Sequence, residues 1–521
     1  MRRMETVDAM GKACRVVLLT DADLVFCVPY MLLSWIYRGL RKLAFAAIKV
    51  PVGLLFIAFS RANLDLASAF VLFPVLIAGA SWVAQAYGPY SWPAFFGAVP
   101  VLLLGAMLLA KLLVHYYHIE DMRGRVRPGG RISAREARSF DRIRRDAAGL
   151  AGSLRHPSDA PVLYLGQLKA MLMLPALCAA LLLPAGWLHW ALVVFVALFA
   201  FNDFERCEHV ASHAPHGRLL PPGAPWWARL AEAGRNAAST LFGWFPGQYH
   251  VTHALHHHVE NNGPADWQST LRYDRSSVLD FMKAATWLGI NSLVPLDTIH
   301  YLVQRRRYRI LWLLLRGLAL YAALLAVVAL AEPLLFAILL AERLFWGVPL
   351  YAFTGAWHGL HDPAHPQDPR ASNHDLMHLA HHTRPRVHLL DDEGLYQTLQ
   401  QVESSHLVVL LRPEFSVPRG PAGFWRLQGL LWRKDFGEAA QALVAHDSLA
   451  EGEKSSAFTL KPGLVNRGIG ADRMRALTAS AFPQPRGAML QSLDRKLSHL
   501  AGALVRNWHA PVGVPRPRAA T

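Results

Sequence analysis

This 521-residue chain is poor in cysteine. It has four, Cys14, Cys27, Cys178 and Cys207, and no two of them form a CxxC pair. That excludes a thiolate zinc knuckle, a four-cysteine iron–sulfur motif and a disulfide framework. Carboxylates are scarce too: 37 Asp and Glu stand against 53 Lys and Arg, and charged residues make up only 17% of the chain, below the roughly 25% usual in soluble domains. No GxGxxG follows a strand-like run and no haem-binding domain is evident, so a redox reaction here would draw its electrons from outside. The first residues are basic but lead into an apolar run broken by Asp21 and Asp23; no cleavable signal peptide is expected.

What the chain has in abundance is apolar sequence and histidine. Hydrophobic residues make up 53%, which argues for an integral membrane protein. The net charge of +16 would suggest nucleic acid in a soluble protein. Here the arginines lie in loops between apolar segments, so a nucleic-acid partner is not expected and a membrane with basic cytoplasmic loops is. Spans are predicted at about 64–87 and 91–114, in a pair over 164–204 broken near Pro184-Ala-Gly186, and at about 310–330 and 333–356. Residues 15–60 read as short apolar pieces, interrupted by Arg38, Arg41, Lys42, Lys49 and Pro51, that either lie in the interface or form one span. Residues 276–300 read as helix near the interface. The loop 118–160 holds ten arginines and is read as a solvated cytoplasmic segment, or more sharply as a dock for anionic headgroups or an acidic partner. Four units follow: N-terminal membrane or interfacial helices (1–117), the arginine-rich loop (118–160), a catalytic domain (161–410) and a soluble tail (411–521) with amphipathic helix at about 436–447.

Seventeen of the 25 histidines lie in the 180 residues from His209 to His388. Counting crossings from the arginine-rich loop puts every histidine cluster on the same face as the arginines. On an α-helix, residues i, i+3 and i+4 share a face. His253-x-x-His256-His257 and His378-x-x-His381-His382 would therefore each aim three imidazoles at one point, and His209-x-x-x-His213 two. Eight nitrogen donors without thiolate suit two transition-metal ions, iron among them. A zinc site would use three or four and leave most unexplained. Transporter ligands should lie mid-span, whereas these lie at span ends. Soluble di-iron bundles use Glu with Glu-x-x-His pairs, a different donor set.

The three boxes resemble those of the membrane fatty acid desaturase and hydroxylase superfamily, whose pattern is HX3–4H, HX2–3HH and a later HX2–3HH. The stretch from His256 through Glu260-Asn-Asn-Gly-Pro-Ala-Asp-Trp-Gln-Ser-Thr270, together with Trp357-His358-Gly-Leu-His361-Asp-Pro363 and His378 to His388, is similar to a bacterial branch of that family. The resemblance covers about residues 160–410. It implies an all-α integral membrane fold, with a four-span core, an added N-terminal hairpin and a cytoplasmic histidine-rich di-iron cap, multi-pass in the bacterial inner membrane. It implies two Fe2+ ions held by His209, His213, His253, His256, His257, His358, His378, His381 and His382. The implied activity is an O2-dependent oxidoreductase that introduces a double bond into a fatty acyl chain, with electrons from a ferredoxin, rubredoxin or cytochrome b5 type donor. Hydroxylation of an acyl, alkyl or terpenoid chain is the nearest alternative; a non-catalytic metal-binding or transport protein, or a zinc hydrolase, are others. His216 competes with His213. His250 and His258 lie off the three-imidazole face and are expected outside the metal shell or at the surface. His361, His365 and His374 stay unassigned. Glu208, Glu260, Asp266, Asp362 and Asp375 are candidates for orienting imidazoles through the second ring nitrogen.

Overall fold

A computed structural model of the chain describes residues 24–61, 66–122, 134–199, 204–358, 360, 373–374, 381–384, 388, 398, 409–411, 421–445, 468–481 and 486–508. The described residues are mostly helical. In order they form α1 (Leu24–Arg61), α2 (Leu66–Tyr87), α3 (Trp92–Met122), α4 (Ala134–Ala151), α5 (Ala160–Leu182), α6 (Trp187–Phe199), α7 (Phe204–His213) and α8 (Trp226–Phe242). A π-helix (His250–His257) follows, then α9 (Val278–Leu293), α10 (Leu296–Gln304), α11 (Tyr308–Ala331), α12 (Pro333–Phe345), α13 (Gly347–His358), α14 (Pro421–Trp432), α15 (Ala471–Thr478) and α16 (Ala488–Trp508).

Four stretches are long and apolar enough to cross a membrane: Trp92–Leu109, Pro157–Leu182, Tyr308–Ala331 and Pro333–Gly355. Val71–Tyr87 and Trp187–Leu198 are shorter apolar helices. α11 shows the logic. Leu314, Gly317, Tyr321, Leu325 and Val328 recur at helical spacing and face the core, while Trp312, Leu320, Val327 and Leu330 on its other side are equally apolar and exposed. A helix that is apolar all round and bare on one side has no face suited to water.

The helix pairs turn back at one end of the molecule. The turn after α2 meets the turn after α5, because the Trp187 amide donates to Pro89 O at 3.0 Å and the Trp187 indole to Tyr90 O at 3.0 Å. Gly186 makes this approach possible: a Cβ there would sit 2.6 Å from Pro89. Glu332, between α11 and α12, reaches His189 on α6 at 3.2 Å. Tyr90, Trp92 and Trp187 gather at the first two turns, the residues that favour a membrane–water boundary. The histidine clusters lie at the opposite ends of these helices.

Three expectations are corrected. Residues 24–61 form one helix rather than separate interfacial pieces, because Arg38 and Arg41, which interrupt the apolar run, turn inward while Lys42 stays exposed. Arg41 reaches Glu342 at 3.3 Å and Leu198 O at 2.8 Å. Tyr37 donates to Glu342 at 2.9 Å, and Tyr30 and Arg38 donate to the carbonyls of Leu344 and Phe345, which a helix C-terminus leaves unsatisfied. Of the stretch 436–447, the described residues 436–445 are not an amphipathic helix: a single helical turn, Phe436–Ala439, leads into strand β3 (Leu443–Ala445), which pairs antiparallel with β2 (Val409–Leu411), itself parallel to β1 (Asn373–His374). The fold is therefore not purely α. The described C-terminal residues also do more than trail off. Phe424, Leu427, Leu431, Trp432, Met474 and Leu477 share one buried cluster with Trp267, Phe281 and Tyr351.

α9 and α13 cross at two glycines. A Cβ on Gly347 would lie 1.8 Å from Ala285 O and 2.6 Å from Gly289 N. We expect Gly347→Ala to lower the melting temperature of the protein in detergent, since overpacking costs about 1–3 kcal/mol. Gly79→Ala, where a Cβ meets nothing within 4 Å, should leave it unchanged. Equal melting points for the two variants would refute this packing.

Candidate metal centre

The local backbone decides which imidazoles meet. His209 and His213 lie one turn apart on α7, with ring centroids 5.4 Å apart. The helix is fixed to its neighbours on both sides. Glu208 on α7 pairs with the buried Arg235 of α8, and the His250 ring Nδ1 donates to Ser212 O at 2.5 Å. From His250 to His257 the chain winds as a π-helix. In that winding backbone bonds run from i to i+5, so His253 is aligned with His257 and His258 rather than with His256 and His257. The Nε2 atoms of His253 and His258 lie 3.1 Å apart. His256 is turned away: its Nδ1 meets Thr298 Oγ1 and its Nε2 meets Ala265 O, both at 2.9 Å, and its ring stacks on Tyr301.

Two groups result. In the first, one ligand atom each of His209, His213, His253 and His381 lie within 4.8 Å of one another, with His209 Nε2 and His381 Nε2 3.3 Å apart. In the second, His257, His358 and His382 converge within the same limit, and all three are buried. His258 lies between the groups. Its ring is 4.1 Å from that of His382, 4.4 Å from His381, 4.6 Å from His253 and 4.8 Å from His213.

The loop after the π-helix sets the tautomers of the second group. His257 Nδ1 donates to Asp266 Oδ2 at 2.5 Å and His382 Nδ1 to Asn261 Oδ1 at 3.1 Å, which leaves each Nε2 lone pair for a cation. Asn261 and Asn262 adopt left-handed φ of 47° and 63°, a conformation asparagine tolerates better than most side chains. Asn262 Oδ1 accepts from Thr270 N at 2.8 Å, which closes the loop. Thr270 then donates to His358 O at 2.7 Å. Asp266 also accepts from the amides of Asn262 and Gln268, both at 2.9 Å. Burial alone would raise the Asp266 carboxyl, but His257 beside it and these bonds hold it below the usual range. Burial, with the neighbouring imidazoles, pushes His253 and His381 well below the ordinary histidine value. Burial pushes His256 down to about 4. His253 and His381 are therefore neutral at pH 7, the form that binds transition metals. Imidazole nitrogens converging this closely in two groups, five of the seven rings buried and His209 and His213 half-buried, fit a pair of cations better than they fit one another.

Of the sequence candidates, the structure brings together His209, His213, His253, His257, His358, His381 and His382. It does not bring in His256, a correction that follows from the π winding. His216 sits exposed on a left-handed turn (φ 59°), so His213 takes the place the two competed for. His250 is spent on Ser212 O. Glu208 points to Arg235, and burial raises its carboxyl despite that partner. Glu260 pairs with Arg305 at 3.3 Å. Of His374 only the backbone is described; His361, His365, His378, Asp362 and Asp375 lie outside the described residues. His258, expected outside the metal shell or at the surface, is instead 94% buried between the groups. A sequence signal for it existed: His253-x-x-x-His257-His258 also satisfies the spacing HX2–3HH.

Compared with known proteins, the chain matches no protein-family model, no curated protein and no solved structure.

The two frames of the second box are separable. We expect His258→Ala to lower the metal content of the purified protein, and His256→Gln to keep it, by elemental analysis. Asp266→Asn should weaken retention of the second ion roughly 10–100-fold, as loss of an orienting partner usually does. A metal loss in His256→Gln equal to that in His258→Ala would contradict the π register.

Proposed function

We propose that this chain is a membrane-embedded oxidase in which the two imidazole groups hold two iron ions and act with O2 on an acyl chain, introducing a double bond. The observation that carries the reading is the pairing of two abutting imidazole groups, one half-buried and one fully buried, at one end of apolar helices. Donor chemistry is compatible with iron, since imidazole suits iron among the first-row metals, and among the described residues neither group contains a cysteine or a carboxylate. Membrane embedding is supported by the four spans and by exposed apolar faces such as that of α11. The cytoplasmic side is supported by Arg305, Arg306 and Arg307, which precede α11 at its histidine end. The boxes' resemblance to the desaturase and hydroxylase superfamily supports the substrate class.

Iron bound in these groups would supply the oxidising power to break unactivated C–H bonds, given O2 and electrons from an external donor. The chain's own residues do the remaining work. The seven imidazoles are held in place by α7, the π-helix, α13 and the helical turn at 381–383. Asp266 and Asn261 hold two of them by their second nitrogens, and Thr270 holds the backbone of a third. Trp267, itself buried, donates to Thr252 O at 2.9 Å and ties the loop to the π-helix.

The test is lipid mass spectrometry of cells with and without the gene under air, beside iron analysis of the purified protein. The proposal expects about two irons per chain and an acyl species lighter by two hydrogens; in His381→Ala the acyl species disappears and the iron content falls. A species heavier by one oxygen would replace desaturation with hydroxylation. Zinc in place of iron, or turnover without O2, would overturn the reading.

A further inference from the structure

The last described helix, α16, has a face that no described residue covers. Ser498, Ala501 and Val505 turn toward the protein. Ser498 Oγ accepts from Val278 N at 2.9 Å, Asp494 accepts from Leu279 N at 3.2 Å, and α16 crosses α14 where Gly502 approaches Gly429 O so closely that a Cβ would lie 2.6 Å from it. The helix is therefore held firmly. Yet Met489, Leu493, Leu500 and Leu504, at i, i+4, i+11 and i+15, return to one face and are exposed by 80%, 44%, 57% and 53%. Scattered surface leucines need no explanation, but an aligned row along a 21-residue helix does.

Two observations say what covers it. The first is position. Val278 and Leu279, which α16 grips, begin α9, and Phe281 one turn on packs against Tyr351 with ring centroids 4.9 Å apart. Tyr351 lies in the last turns of the stretch Pro333–Gly355. α16 thus lies beside the histidine end of that span, where hydrocarbon gives way to headgroups. The second is charge. The helix has one carboxylate, Asp494, and Arg486 occupies it at 2.9 Å. Arg495, Lys496 and His499 are all exposed. An apolar row beside uncompensated basic residues is the pattern of a helix lying in an anionic interface.

We infer that α16 lies on the membrane, its apolar row in the acyl boundary and Arg495 and Lys496 among anionic headgroups. The C-terminal segment then anchors the loop behind the metal centre to the bilayer. Arg275 N donates to Thr478 O at 3.0 Å and Ala481 N to Leu271 O at 2.9 Å, so the same segment both touches lipid and buttresses residues 271–275. This rests on the proposed membrane embedding but not on the identity of the metal or the reaction.

The test places nitroxide labels, one at a time, at Leu500, Leu504, Arg495 and, as a control on α11, Leu320, in full-length protein with its four cysteines replaced, reconstituted in phosphatidylglycerol-containing vesicles. Collision with O2 is compared with collision with a polar nickel chelate. The inference expects Leu500 and Leu504 to favour O2, as Leu320 does, and Arg495 to favour nickel. It also expects the immersion of Leu500 to fall when phosphatidylcholine replaces phosphatidylglycerol. Nickel access at Leu500 with O2 preference at Leu320 would overturn the inference alone; nickel access at both would overturn the membrane reading itself. Exclusion of both reagents at Leu500, with a label-to-label distance between chains, would assign the row to a second copy and overturn it. Should the cysteine-free protein not fold, a lipid-soluble photolabel on the wild-type chain decides: label in the peptide around 489–504 supports the inference, and an unlabelled peptide beside a labelled α11 refutes it.

Discussion

The arrangement depends on how the backbone winds between His250 and His257. An α-helix there would bring His256 inward and send His258 out. The π winding does the reverse, and it fits the neighbours on every side. His256 finds Thr298, Ala265 and Tyr301, which tie the strip to α10 and the following loop. His250 finds Ser212, which ties it to α7. His253, His257 and His258 are left to face His209, His213, His381 and His382. Single π turns inside helical strips are rare and recur at functional sites because they redirect side chains without changing the path of the chain.

Around that strip the support is asymmetric. The first group is set mainly by helix packing, α7 against the π-helix, with the Arg235–Glu208 pair behind it. The second is held by one loop, 261–270, which contacts His257 through Asp266, His382 through Asn261 and the His358 backbone through Thr270. Arg272 braces that loop from below by donating to Pro264 O at 2.9 Å and Asp266 O at 3.0 Å. The C-terminal segment braces it from outside. A centre meant to bind two cations with unlike roles would be built this way, since orienting partners tune each ligand separately.

Much of this was legible in the sequence. The apolar runs located α2, α3, α5, α6 and α11 to α13, because long apolar stretches stand out in a sequence, although the apolar helices Val71–Tyr87 and Trp187–Leu198 are shorter than the four stretches of membrane-crossing length. Counting crossings placed the histidines at one end, and the turns at Pro89, Gly186 and Glu332 do gather at the other. The first box was legible because α7 is an ordinary helix, on which i and i+4 meet. At the second box the spacing pointed to His256, which the structure turns toward Thr298 and Ala265, because helical periodicity was taken as 3.6 residues and a π turn leaves no mark in composition. The N-terminal helix was misread because Arg38 and Arg41 look like interruptions until Glu342 and the end of α12, some 300 residues away, supply their partners. The C-terminal segment was undervalued because its apolar residues are spread over short elements that acquire meaning only against Phe281 and Trp267.

The central claim is that two metal ions per chain are held by imidazole alone, in two groups of unlike support. X-ray absorption on the iron-loaded, full-length protein tests it most directly. The account predicts two irons per chain, a first shell of nitrogen and light oxygen scatterers with the outer-shell pattern of imidazole, and no sulfur. It also predicts that His358→Ala leaves one iron whose imidazole shell is intact. A single iron in the wild-type protein, a sulfur or carboxylate-dominated shell, or loss of both ions in His358→Ala would contradict it.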